Sequence, residues 1–248
     1  MTSRYEAYMD GIALSSLDPS IYVLNIQYGD VQQSVSTRTV AGRPGARIIK
    51  KTFDRASVTI LFEIHEYNTE KRQAVCQKIQ KWANGSILSA SDRPGQQLRC
   101  VCEVYPKVNA KEWTESISMT FAGYNPPYWE NENETIIKTT SSKKAYVPGN
   151  APETLVSAVV TANASISTLT LTTGSKSLIL AVSAVQNDKI YVGYDENRIL
   201  YIKKNSTSIL DKRTGADDLT VPCGGFSTFS VSADASVSAV FRVRGCWH

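Results

Sequence analysis

The chain has 248 residues, 42% of them hydrophobic and 20% charged, with a formal net charge of +4. That balance belongs to an ordinary globular protein and excludes collagen-like, low-complexity or wholly disordered chains. No apolar run approaches the ~18 residues of a membrane-spanning helix, the opening MTSRYEAYMD has no signal-peptide core, and the charge is too mild to announce a nucleic-acid partner.

These features predict a protein made and kept in a cytoplasm, with no membrane partner. Five scattered cysteines, an odd number, do not read as a disulfide framework and agree with a reducing compartment. The sequons at Asn133, Asn163 and Asn205 then carry no meaning, since nothing routes the chain to a glycosylation machinery.

In chain order, residues 21–64 carry β signals. Ile21–Ile26 is followed by a polar strand through Val35, the turn Ala41-Gly42-Arg43-Pro44-Gly45 and Arg47-Ile48-Ile49, which together predict a hairpin. Ser57–Ile64 alternates strictly, placing Val58, Ile60, Phe62 and Ile64 on one face of a half-buried strand. A helix follows, capped by Asn68 or Thr69, with Val75, Ile79, Trp82 and Ala83 on one stripe and Lys71, Arg72, Lys78 and Lys81 on a polar face. Asn84-Gly85 ends it. Two more strands are expected: Leu98–Tyr105, with Leu98, Cys100, Cys102 and Val104 inward, and Trp113–Phe121, with Trp113, Ile117, Met119 and Phe121 on one side.

The stretch Asn125–Pro152 is polar and bracketed by prolines, so neither end can continue a helix or lie in a central strand. It divides the chain into an expected first domain, 1–130, a linker, 131–152, and a second domain, 153–248. Tyr128 and Trp129 are its aromatic exceptions, placed either to plug one half or to seat it on the other. Beyond it, short strands are expected at Thr154–Thr161, Ser167–Leu171, Leu178–Val182, Lys189–Tyr194, Arg198–Lys203, Leu219–Val221, Phe226–Ser232 and Val237–Val243. Their spacing and turns predict an antiparallel sandwich or jelly roll. The fold class is thus mainly β: a β-sandwich with one helix in the first half and a jelly roll or β-sandwich in the second.

Little in the chain can do chemistry. Two histidines, His65 and His248, cannot build a histidine relay or a multi-histidine metal site within one chain. Cys100-x-Cys102 has no second ligand pair, and both sulfurs fall on an apolar strand face, where cysteine packs as a small hydrophobe. Cys76 lies beside the helix stripe, and Cys223 and Cys246 can meet only if their strands neighbour. The carboxylates Glu130, Glu132, Glu134, Asp217 and Asp218 sit in linker or turn positions where capping and solvation are the default. Gly42–Gly45 lacks the spacing of a phosphate loop. The expectation is therefore no catalytic residue, no metal, no cofactor and no enzyme.

The conspicuous electrostatic feature is a basic ridge, Arg38, Arg43, Arg47, Lys50, Lys51 and Arg55, relieved only by Asp54. Nucleic-acid readers interleave aromatics or present a basic helix, and this ridge offers only Phe53, so a protein interface is the better reading. Arg43, Arg47, Lys50 and Lys51 are its candidate contact residues.

The order of these features resembles one family: a sheet, a basic hairpin from Arg38 to Lys50, the strand Ser57–Ile64, a helix ending at Trp82, Pro148-Gly149-Asn150 opening an all-β half, and Leu219–Phe226. It is similar to the distal tail protein of phages with long, non-contractile tails. The resemblance implies a first domain that looks like a tail-tube subunit and closes into a hexameric ring. It also implies a galectin-like second domain that projects outward to hold receptor-binding or accessory tip proteins. The ring would join the tail-tube protein to the tail-tip hub protein, a structural role in the virion tail tip after assembly in the host cytoplasm. Two alternatives stay open: a carbohydrate-binding module, with Tyr191, Tyr194 and Tyr201 as ring candidates, and a wall-polysaccharide-processing protein.

Overall fold

The computed structural model describes residues 5–29, 33–39, 46–53, 55–106, 116–124 and 126–247. The chain forms two compact units, Met1–Trp129 and Glu130–Trp247.

In the first unit seven strands form one antiparallel path, in the spatial order Ile12–Ala13, Ala7–Met9, Ile87–Ala90, Gln96–Val104, Ser116–Gly123, Ser57–Ile64, Ile21–Gly29. Ser57–Ile64 is hydrogen-bonded on both sides, and its alternation is realised fully: Val58, Ile60, Phe62 and Ile64 are buried and the residues between them half-buried. The helix Thr69–Ala83 covers the buried face through Val75, Cys76, Ile79, Trp82 and Ala83. Trp82 meets Phe121 edge-on, with centroids 6.2 Å apart, and donates its indole N–H to the Ile12 carbonyl at 2.7 Å. The Asn68 side chain accepts from the N–H groups of Glu70 and Lys71 at 2.9 and 3.1 Å, satisfying two donors that a bare helix end leaves open. Asn68→Ala should cost about 1 kcal/mol of stability, read as a lower denaturant midpoint for the first unit.

Two sequence expectations for this unit are corrected. Arg72 is buried and not on the polar face, because positions 72, 75, 76, 79 and 83 follow the same three-and-four spacing as the apolar stripe. Val104 is exposed although its alternation with Leu98 and Cys100 pointed inward; the register with Ser116–Gly123 shifts between Cys102 and Val104, and an inserted residue re-aims every side chain beyond it. Of the expected strand Trp113–Phe121, residues 113–115 lie outside the described residues, while Ile117, Met119 and Phe121 are buried as a set. Trp129 is 1% exposed and packs in the first unit, edge-on to Tyr28 at 5.7 Å and under the Arg93 guanidinium at 5.1 Å. Tyr28 also donates its hydroxyl to Asp92.

The stretch 131–152, expected as a linker, is part of the second unit. It contains two strands, Thr135–Thr139 along Val237–Val243 and Ser142–Val147 along Gly225–Ala233. Both sit at sheet edges. An edge strand needs only one apolar anchor, here Ile137 and Val147, and its lysines and serines face water, so composition alone makes such a strand look like a loop.

The second unit has two antiparallel sheets. One runs Thr135–Thr139, Val237–Val243, Thr154–Ala162, Lys189–Tyr194, Leu200–Lys204, Thr207–Ser208, with Thr220–Val221 also paired to Thr154–Ala162; the other runs Ser142–Val147, Gly225–Ala233, Ile166–Thr173, Lys176–Ala184, Arg213–Gly215. Their inner faces share one core, in which Val156, Val160 and Phe241 of the first meet Leu171, Leu180 and Phe229 of the second, with the two phenylalanine rings 5.6 Å apart. That is a sandwich: alternate residues of each strand enter the core and the rest stay polar. The fold is mainly β, with one α-helix among the described residues.

Candidate assembly interface

The basic hairpin is built from Gln33–Thr39 and Ala46–Phe53, which pair only with each other among the described residues and so form a two-stranded ribbon. In its register Arg38 stands opposite Arg47, Ser36 opposite Lys50 and Val35 opposite Lys51. Arg47, Lys50 and Lys51 are therefore brought onto one short ribbon, although their side chains lie outside the described residues. Arg43 falls in the turn 40–45, which is also outside them. The two strands together carry four cations and no carboxylate. Like charges placed directly across a strand pair repel, so the ribbon itself supplies no partner for this charge.

The sequence reading missed the ribbon's apolar component. Val35, Ile48 and Ile49 are 43, 51 and 63% exposed. The available signal was Ile48-Ile49 itself, two consecutive isoleucines in a short strand, of which Ile49 falls at the register shift opposite Ser36 and Thr37 and has no partner across the ribbon. An isolated two-stranded hairpin is marginally stable in water. A ribbon that carries four cations in its sequence and exposes Val35, Ile48 and Ile49 has the chemistry of a segment completed by another surface.

A second surface feature of the first unit is a groove of about 440 Å³ lined by Met9, Ile12, Leu17 and Trp82, with Asp10, Lys78 and Lys81 among its polar residues. Lys78 pairs with Asp18 at 3.0 Å, and Asp10 accepts from the backbone N–H of Ile87 at 3.0 Å, so these two charges serve the fold.

Several of the residues weighed for chemistry are engaged structurally, while His248 lies outside the described residues. Glu130, buried, accepts from the Arg198 guanidinium. Glu134 faces Arg244 at 3.5 Å, and Asp217 accepts from Arg213 at 3.2 Å. His65 contacts Glu63 at 2.7 Å. Burial pushes the Cys76 and Cys102 thiols up to about 11 and Cys100 up to about 12, away from thiolate chemistry. Among the described residues no group of three histidine, cysteine or carboxylate side chains is arranged to hold a metal ion. Tyr194 bonds the backbone of Leu219 through its hydroxyl, Tyr191 is half-buried, and of the three sugar-stacking candidates only Tyr201 is exposed.

No protein-family model matches the chain, and neither does any curated protein. Solved structures do. Two chains of the phage P2 baseplate in its activated conformation, one with Ca and one with Sr, align at TM-scores of 0.49 and 0.48 with 10% identity. They cover 99% and 97% of this chain and 98% and 97% of their own lengths. The Dit protein of phage SPP1, described as a paradigm of the hub adsorption apparatus of phages infecting Gram-positive bacteria, aligns at a TM-score of 0.70 with 14% identity, over 97% of this chain and 98% of its own. Over nearly its whole length, this chain has the fold of the SPP1 Dit protein.

Proposed function

We propose that the chain is a structural, non-catalytic component of a long-tailed phage virion, the distal tail protein at the junction of tail tube and tail tip. The observation that carries this reading is the shared fold with SPP1 Dit across both units, at a TM-score of 0.70. In this reading the first unit closes with five copies of itself into a hexameric ring. The second unit, a galectin-like sandwich, anchors receptor-binding or accessory tip proteins. The tube protein stacks on one side of the ring and the hub protein on the other, after assembly in the host cytoplasm.

The exposed ribbon supports self-association. It combines exposed isoleucines with a cation-rich sequence, and head-to-tail contacts of one kind close into a ring when the rotation permits. The candidate contacts are Arg43, Arg47, Lys50 and Lys51. Light scattering and negative-stain images of the purified protein should show a six-subunit species with a hollow axis. A strictly monomeric protein at high concentration that also fails to join tail-tube and tip components would overturn the proposal.

A second reading, saccharide binding, has one observation in its favour. Tyr146 and Phe226 are both exposed and meet 5.4 Å apart on the outer face of the second unit, with Lys144 Nζ 5.7 Å from the phenyl ring and Ser142 and Thr228 on the same face. Exposed rings beside hydroxyls are the chemistry that stacks a sugar. Titration with bacterial wall polysaccharide fragments decides it: binding lost in Phe226→Ala supports this reading, and no binding removes it.

A further inference from the structure

Three segments of the second unit converge behind the Pro148-Gly149 turn. Gly149 forms a parallel bridge with Cys246, Asn150 and Ala151 donate to the Cys246 carbonyl at 3.0 and 3.1 Å, and Gly224 donates to the Val147 carbonyl at 2.8 Å. The approach depends on two missing side chains: a Cβ on Gly149 (φ +117°) would sit 2.1 Å from the Cys246 oxygen, and one on Gly224 (φ +76°) 2.8 Å from the Gly149 oxygen. This knot brings together two residues that are 23 positions apart in the chain, Cys223 and Cys246. Cys223 immediately precedes Gly224 in this knot, and the Cys246 sulfur is 3.3 Å from Thr154 Oγ1. Cys246 is 1% exposed, Cys223 is half-buried, and both are free thiols.

We propose that Cys223 and Cys246 form an oxidation site: the pair closes into a disulfide on meeting a small-molecule disulfide such as glutathione disulfide, stapling the short strand Cys246–Trp247 to the turn before Gly225–Ala233. The inference does not depend on the assembly reading, since it concerns one unit of one chain.

The two thiols have different parts. Cys223 is half-buried and reaches solvent, whereas Cys246, beside Cys223 and 1% exposed, has its thiol pushed up. The thiolate is the attacking species in thiol–disulfide exchange. Cys223 attacks one sulfur of glutathione disulfide; its S–S bond breaks, one glutathione thiolate leaves with the bonding pair, and a mixed disulfide remains on Cys223. Cys246 then loses its proton to solvent and attacks the Cys223 sulfur, expelling the second glutathione thiolate. Two protein thiols are oxidised and one glutathione disulfide is reduced to two glutathione molecules. Cys76 and Cys100 are set apart from this exchange by burial, and Cys102, half-buried, by a thiol pushed up to about 11.

The test uses the full chain, folded, incubated with glutathione disulfide, alkylated, digested and read by mass spectrometry. The peptide containing Cys223 should be cross-linked to that containing Cys246, and the oxidised protein should melt several degrees higher, because the closed loop constrains the unfolded chain. Cys246→Ser should stop at a glutathione adduct on Cys223, and Cys223→Ser should not react. The proposal is overturned if the wild-type chain stalls at the mixed disulfide, if Cys223→Ser oxidises as fast as wild type, or if the pair stays reduced. In the last case the two sulfurs are packing groups only.

Discussion

Replacing Glu130 with alanine should lower the stability of the second unit by about 3 kcal/mol, the low end of the range for breaking a buried ion pair by removing one partner. Glu130 is buried and accepts from Arg198, whose side chain is itself mostly covered. The loss is more than one contact, because Arg198 sits in a loop held in a specific shape. Its φ is +60°, its N–H donates to the Asp195 carbonyl at 2.9 Å, and the Asp195 carboxylate accepts from the N–H groups of Asn197 and Ile199 at 2.9 and 2.8 Å. A non-glycine residue with positive φ persists only where its surroundings over-determine it. Without Glu130 the loop loses a charge-assisted contact that helps to hold it in that conformation. Glu130→Gln, which keeps an acceptor, should lose less. Glu130→Met combined with Arg198→Met should lose less than the sum of the single changes, since no charge is then left buried. Denaturant unfolding of the full chain measures all three. A loss below about 1 kcal/mol for Glu130→Ala would mean that water replaces the carboxylate without difficulty.

Glu130 also shows where the sequence stops being legible. In the run Glu130-Asn131-Glu132-Asn133-Glu134, nothing distinguishes a buried carboxylate from solvated ones, because its partner lies 68 residues away and no local pattern carries that distance. Strands whose two faces differ were readable: Lys189–Tyr194 and Val237–Val243 have the bounds that their alternation dictates, and Thr154–Ala162 and Gly225–Ala233 extend theirs by a residue or two. Edge strands were not, since Thr135–Thr139 and Ser142–Val147 draw their order from the neighbours that they pair with. The buried Arg72 belongs to the same class, its position set by helical spacing while its charge argued for the surface. Of the candidate interface, the charge was legible and the apolar partners were overlooked, although Ile48-Ile49 announced them.

Serine in place of Arg43, Arg47, Lys50 and Lys51 should weaken self-association and remove most of its salt dependence. Exposed charge contacts contribute about 0.5 kcal/mol each, so losing four of them should raise the dissociation constant of the subunit contact roughly 30-fold. Wild-type assembly should itself decline between low and high salt, because ions screen exposed charges beyond about 10 Å at 0.1 M. The variant should start from the weaker value and change little. Ile49→Ser isolates the other half of the ribbon: Ile49 is 63% exposed, so the folded subunit loses almost no packing, yet an interface that buries the residue should weaken without any change in its response to salt. Sedimentation velocity over a salt series separates the two. An association constant and salt response unchanged by the four serines would show that the ridge is a solvated edge, whose lysines and arginines keep a bare ribbon from pairing with other chains. The ring would then have to close through another surface of the first unit, and the groove lined by Trp82 and Ile12 would be the next one to mutate.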